Sequence, residues 1–253
     1  MSQHYLYEYP SLTTFTYYRY FNVVSSSLFP GALLTTMPNV LVLSFEGFSF
    51  SSRQLYEQLL PKLLSRAIVH ESLTIQDALN YVLSSWPTII LVSDPGITLE
   101  NEESQELLEA IAEYTKHGCT TILMGFFAET VDFGRLDFMF KTHFNLAWRV
   151  AELSKHEIRL HTLDESLIRI TSLIPVFYAN ALFLAKVPVA QTVYIGAIGN
   201  TSTVYAAYGR VGLGKVGYIG DVNFGDEPER VILAMCHLDR PEDSFQEEED
   251  TEF

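Results

Sequence analysis

Residues 39–45 (NVLVLSF) form an unbroken apolar run, the pattern of a strand buried on both faces. Beyond them the period changes. Residues 53–66 place Leu55, Leu59, Leu60, Leu63 and Leu64 at helical spacing, behind Ser52 as a capping residue. Residues 67–71 predict a short strand, 75–84 a helix capped by Thr74, and 88–92 (TIILV) another buried strand. Residues 102–117 read as an amphipathic helix with acids early and Lys116 and His117 late, the order the helix dipole favours. Gly118 stands where the helix end needs positive φ, and residues 120–124 (TTILM) are the next strand. Strands alternating with helices predict right-handed βαβ units. The expected fold is a flavodoxin-like, doubly wound α/β domain with a mainly parallel sheet and helices on both faces.

The later pattern is less regular. Residues 133–150 read as helical through Leu136, Phe140, Phe144 and Trp148. Residues 176–187 and 191–195 read as strands around Pro188, 203–210 and 215–219 as a strand pair joined by a Gly-rich turn, and 229–238 as a closing helix. Residues 1–37 differ in kind, holding Tyr5, Tyr7, Tyr9, Tyr17, Tyr18 and Tyr20 in a β-prone stretch. They are expected to be an aromatic extension ahead of a domain at 38–240. Residues 241–253 carry seven carboxylates and no basic residue, as expected of a disordered, solubilising tail.

Composition narrows the function classes. Of 253 residues 48% are hydrophobic and 19% charged, enough to build one large core. Formal net charge is −15, with 31 acidic residues against 16 basic ones and no basic run. That argues against nucleic acid and against an anionic membrane surface. No apolar run reaches the roughly 18 residues that span a bilayer. Two cysteines, Cys119 and Cys236, make neither a disulfide framework nor a zinc pattern, so free thiols and a cytoplasmic location are expected. His156 and His161, five apart, share neither a helix face nor a strand face and make no metal pair. The glycines of 209–214 lack phosphate-loop spacing and fit a hairpin turn. No cofactor is expected.

The order strand, loop, helix, strand, helix, strand, helix, strand, sharp turn, closed by Gly214-Lys-Val-Gly-Tyr-Ile-Gly-Asp-Val-Asn, resembles the class I glutamine amidotransferase-like superfamily over residues 38–238. Its trehalose-utilisation-protein-like (ThuA-like) branch is nearest. The resemblance implies a nucleophile elbow, Gly-x-Cys-x-Gly, after the fourth strand. The matching stretch here is Gly125-Phe-Phe-Ala-Glu129, which puts Phe127 at the nucleophile position. An aromatic ring cannot attack a carbonyl, so the expectation is a non-catalytic amidotransferase-like domain for small-ligand binding or protein association. The alternative is a hydrolase or isomerase-type enzyme on a carbohydrate-like or small carbonyl substrate. It would use Glu46, which resembles the glutamate after the first strand of chaperone and deglycase relatives, and His143, placed where the ThuA-like branch often carries a histidine.

Open α/β sheets bind ligands at the carboxyl ends of their strands. That rule selects Glu46, Gly47 and Phe48 after the first strand, Ser93, Asp94 and Gly96 after the third, and Gly125, Phe126 and Phe127 after the fourth. Later loops add Asn200, Thr201, Asp221 and Asn223, although Asp94 and Asp221 also have the chemistry of turn residues. The stripe Phe133, Phe138, Phe140, Phe144 and Trp148 is core, or a homodimer face where exposed. The expected partners are an unidentified small molecule and a second copy of the chain.

Overall fold

The computed structural model describes residues 37–45, 56, 58–161, 167–198 and 201–243. Of the aromatic extension only Met37, and of the acidic tail only Pro241–Asp243, fall among them. Four short strands, β1 (Asn39–Leu43), β2 (Ile68–Ser72), β3 (Ile89–Val92) and β4 (Thr120–Leu123), pair in parallel in the order β2-β1-β3-β4. The late strand β9 (Gly214–Ile219) adds to β4, also in parallel. Helices α1 (Leu59–Arg66), α2 (Ile75–Ser85), α3 (Glu102–Lys116), α4 (Phe126–Thr130), α5 (Phe133–Thr142) and α6 (Asp226–Met235) surround them.

The central strands β1, β3 and β4 are mainly apolar because they bury both faces, whereas the edge strand β2 keeps His70 and Glu71 only half-buried. Val40, Val42, Ile89, Leu91 and Ile122 share one core cluster with Leu59 and Leu63 of α1 and Val231 and Ile232 of α6. Leu41, Leu43, Ile90, Val92 and Leu123 share another with α2, α3 and α5. The starts of α2 and α3 follow from their caps. Thr74 accepts the amide of Asp77 at 3.2 Å, and Asn101 accepts that of Ser104 at 2.8 Å. Gly118 has φ of 120°, the positive value its sequence position called for.

Beyond β9 the sheet turns antiparallel, and the expectation of a flavodoxin-like, doubly wound, mainly parallel sheet is overturned. Strands β5 (Arg149–Leu160), β6 (Val176–Ala185), β7 (Thr192–Ile198) and β8 (Thr201–Val211) extend it in the order β9-β8-β6-β5-β7. β7 then returns to pair with β8, so these four strands close on themselves as a small barrel. All their pairings, and that of β8 with β9, are antiparallel. The misreading began at residues 133–150. α5 stops at Thr142, Asn145 takes φ of 53°, and the chain re-enters the sheet at Arg149. β5 was illegible because only Ile158 among its side chains is fully buried, Glu152, Lys155 and Arg159 face water, and it carries no apolar run. Between β6, β7 and β8 the rings of Phe177, Tyr194 and Tyr205 meet edge to face at 5.3, 5.4 and 6.1 Å.

The two halves are stitched together just after β9. Gly220 donates its N–H to the Tyr205 carbonyl at 3.0 Å and accepts the Leu182 amide at 2.8 Å. The Tyr218 hydroxyl donates to the Leu182 carbonyl at 2.7 Å, and Val222 donates to Asn180 at 3.2 Å. A Cβ on residue 220 would come within 2.2 Å of the Leu182 oxygen. Gly220→Ala is therefore expected to lower stability by about 3 kcal/mol, because the backbone cannot yield without breaking these bonds. In thermal denaturation that corresponds to a fall of roughly 6–12 °C.

Candidate functional site

The carboxyl ends of β1, β3, β4 and β9 form one edge. After β3, Ser93 donates from Oγ to the Leu43 carbonyl at 2.7 Å and lies 3.0 Å from the Ser44 hydroxyl. Asp94 accepts the Gly96 amide at 2.8 Å, capping a short 3₁₀ turn at Pro95–Thr98, and it also accepts the Phe45 amide. Both residues are buried, and they tie β1 to β3. Gly96 is required there, since a Cβ would fall 2.8 Å from the Phe45 ring. These three predicted residues build the edge.

After β4 the chain bends sharply into α4. The residue at the bend is Gly125, with φ of 66° and ψ of −137°. Such a backbone is essentially reserved for glycine. Its N–H donates to the Tyr56 hydroxyl at 3.2 Å. Phe127 is fully buried in the core cluster of α2, α3 and α5. Phe126 packs its ring at 4.9 Å from Phe224, and Phe224 meets Tyr56 at 5.8 Å.

Around Tyr56 the structure gathers a dry polar cluster. Asp221 follows Gly220 and is buried, and its Oδ2 accepts the amides of Asn223 at 3.0 Å and Phe224 at 2.6 Å. Burial pushes its carboxyl up to about 6, with the two amides opposing and Glu227 adding. Tyr56 and Tyr205 are held well above the ordinary phenol range, first by burial and then by the charge of Asp221. Both stay neutral hydroxyls. The Tyr205 hydroxyl is fully buried and has no hydrogen-bond partner among the described residues. Buried polar groups rarely go unpaired, which makes this hydroxyl a candidate contact for a ligand.

The fate of the other predicted residues is mixed. Glu46, Gly47, Phe48 and Asn200 lie outside the described residues, as does the side chain of Thr201. His143 follows α5, with its ring 6.1 Å from Phe138, lowered by burial and acted on by Glu109 and Lys116 of α3. Lys116 ends α3, just before the amino end of β4, so His143 stands away from the edge that holds Gly125. The aromatic stripe splits: Phe140, Phe144 and Trp148 are core, whereas Phe133 and Phe138 are exposed. Cys119 and Cys236 are buried, and burial lifts the Cys119 thiol to about 12 and the Cys236 thiol higher still. Sequence reasoning missed Tyr56 and Tyr205. The usable signal for Tyr205 was a tyrosine flanked by apolar residues in a strand, because its hydroxyl must find a partner; Tyr56, ahead of α1, carried none.

An open groove of about 690 Å³ between α3 and α5 is lined by Thr98, Glu100, Gln105, Leu108, Arg135 and Met139. Its polar groups are largely engaged at home. Gln105 donates to the Leu99 carbonyl, Arg135 lies 3.8 Å from Glu100, and Asp132 caps α5. No group of three or more metal-ligating side chains occurs among the described residues, and no helix there is long and apolar enough to cross a membrane.

No protein-family model and no curated protein matches the sequence. Solved structures do match in fold. A ThuA-like protein from Bacteroides uniformis superposes with a TM-score of 0.55 at 8% identity, covering 83% of this chain and 94% of that one. A second, from Parabacteroides merdae, gives 0.51 at 9% identity, covering 83% and 92%. A protein from Salmonella typhimurium described as cytoplasmic gives 0.50 at 14% identity, covering 73% and 88%. At these identities the likeness is one of fold.

Asp221 gives the site a pH signature. The folded carboxyl keeps its proton to about pH 6, whereas in the unfolded chain it loses it near 3.8. The folded state therefore binds more protons between these values, and its stability falls as pH rises through them, by on the order of 3 kcal/mol. Asp221→Asn is expected to remove this fall. Urea denaturation should find the variant close to the parent at pH 4 and more stable than it at pH 7.5.

Proposed function

We propose that this chain is a non-catalytic, amidotransferase-like domain of ThuA-like fold that binds a small, uncharged, carbohydrate-like ligand at the carboxyl edge of its parallel strands. The observation that carries the reading is the bend after β4. An elbow nucleophile occupies the strained residue of such a bend, and here that residue is Gly125, which has no side chain. This strengthens the sequence argument while moving its register, since Phe127 lies two residues further on, in the core. The Gly125 amide, the kind of donor that would stabilise an oxyanion, is already given to Tyr56.

The ligand class follows from what remains. Tyr205 offers an unpartnered buried hydroxyl, and Asp221 offers a carboxyl that burial keeps protonated to about pH 6. Asp221 and Glu227 both act on Tyr205, and among the described residues no cation is seen to act on it. A negatively charged ligand would meet an unfavourable field, whereas a polyhydroxylated neutral one can exchange hydrogen bonds with the cluster.

Two measurements test this. Incubation with glutamine is expected to release no ammonia above the uncatalysed background, and turnover would overturn the non-catalytic reading. In a calorimetric panel of neutral sugars and polyols, Tyr205→Phe is expected to weaken the binder by about 1–3 kcal/mol, or about 5–150-fold in Kd. Equal affinity in parent and variant would remove Tyr205 from the site.

A further inference from the structure

Lys215 opens β9 at the end of the strand opposite Asp221. Its Nζ lies 2.7 Å from His237 Nε2, 3.5 Å from the Leu167 carbonyl oxygen and 5.1 Å from the centre of the Tyr208 ring. None of the ion pairs among the described residues involves it. The charges that face the pair come from three directions. Arg210 on β8 is the cross-strand partner of Lys215. Asp239, beyond the end of α6, is 3.5 Å from Arg169 and accepts from Ser172. Arg169 adds its own positive charge to the field at His237.

His237 is fixed by backbone. It follows α6 with φ of 55° and donates its N–H to Ala234 at 3.0 Å, in a place helices usually give to Gly or Asn. Holding a histidine there costs about 1 kcal/mol. The imidazole is thereby kept against the amine. An ammonium and an imidazolium cannot both persist at 2.7 Å, so the two facing nitrogens hold one proton between them. Burial, then Arg210, lowers Lys215; burial, then Lys215, lowers His237. A desolvated amine beside other cations is the setting in which lysine becomes a nucleophile near neutral pH.

We propose that Lys215 is a reactive amine that condenses with small aldehydes or ketones carrying a carboxylate or phosphate group, with His237 as its proton partner. The amine lone pair forms a bond to the carbonyl carbon while the carbonyl π pair moves to oxygen. Both N–H protons pass by way of His237 Nε2 to that oxygen, which leaves as water as the C=N bond forms. Amine and carbonyl become imine and water, with no oxidant or reductant. Arg210 and Arg169 supply the preference for an anionic group, in a chain whose net charge of −15 otherwise repels one.

The test uses the full chain, glyoxylate as probe and cyanoborohydride as trap, with peptide mass mapping of every labelled lysine. Lys116, Lys141, Lys155 and Lys186 are exposed and serve as references. At pH 7 Lys215 is expected to react about tenfold faster than they do, because more of its amine is unprotonated beside His237. Acetaldehyde, which lacks the anionic group, should show a smaller preference for Lys215. His237→Asn, whose side chain tolerates the left-handed backbone, should fold normally by circular dichroism. It should slow Lys215 several-fold and remove one of the two ionisations from its pH–rate profile. A Lys215 rate equal to the references overturns the proposal. So does an equal preference with acetaldehyde, or an unaltered profile in His237→Asn.

Discussion

The close approach of the main chain at Gly220 to the Leu182 carbonyl organises the molecule. A parallel sheet of short strands needs helical crossovers, and an antiparallel barrel needs none, so the two halves follow different rules of connection. They share a sheet because β8 runs long enough to serve both. Its later part pairs with β9 and its earlier part with β7 and β6. At the seam, residues 220–222 take over as a pairing edge for 180–182, and the absence of a side chain at 220 lets the backbones close. Asp221 is the next residue, so its carboxyl is drawn into protein rather than left in water. The candidate site is a consequence of the seam.

This explains what could be read from the residues alone. The parallel half was legible because β1 and β3 are near-continuous apolar runs and two of its helices carry their caps in the sequence at Thr74 and Asn101. Local chemistry specified local structure there. The barrel was not legible. β5 shows water one face and pairs its edges with β6 and β7, contacts that no local pattern encodes. Ser93, Asp94 and Gly96 were found by the rule that loops at the carboxyl edge matter, yet they fasten β1 to β3. Tyr56 and Tyr205 escaped the same rule, since one precedes α1 and the other lies within β8. Only the fold brings them to Asp221.

β9 carries the same physics at both of its ends. Asp221 just past it has its carboxyl raised, and Lys215 at its start has its amine lowered, and in each case burial is the leading cause. Desolvation disfavours whichever form bears charge, so it moves an acid and a base in opposite directions toward neutrality. The difference lies in the company each keeps. Around Asp221 the further charge is acidic, from Glu227, and the neighbours are phenols and main-chain amides. Around Lys215 it is basic, from Arg210. Five residues, 216–220, thus separate an acid raised by burial in an anionic field from an amine lowered by burial in a cationic one. On the readings proposed above, a neutral, hydroxyl-rich molecule would suit the first environment and an anionic carbonyl compound the second, so the two proposed sites would not compete for one ligand.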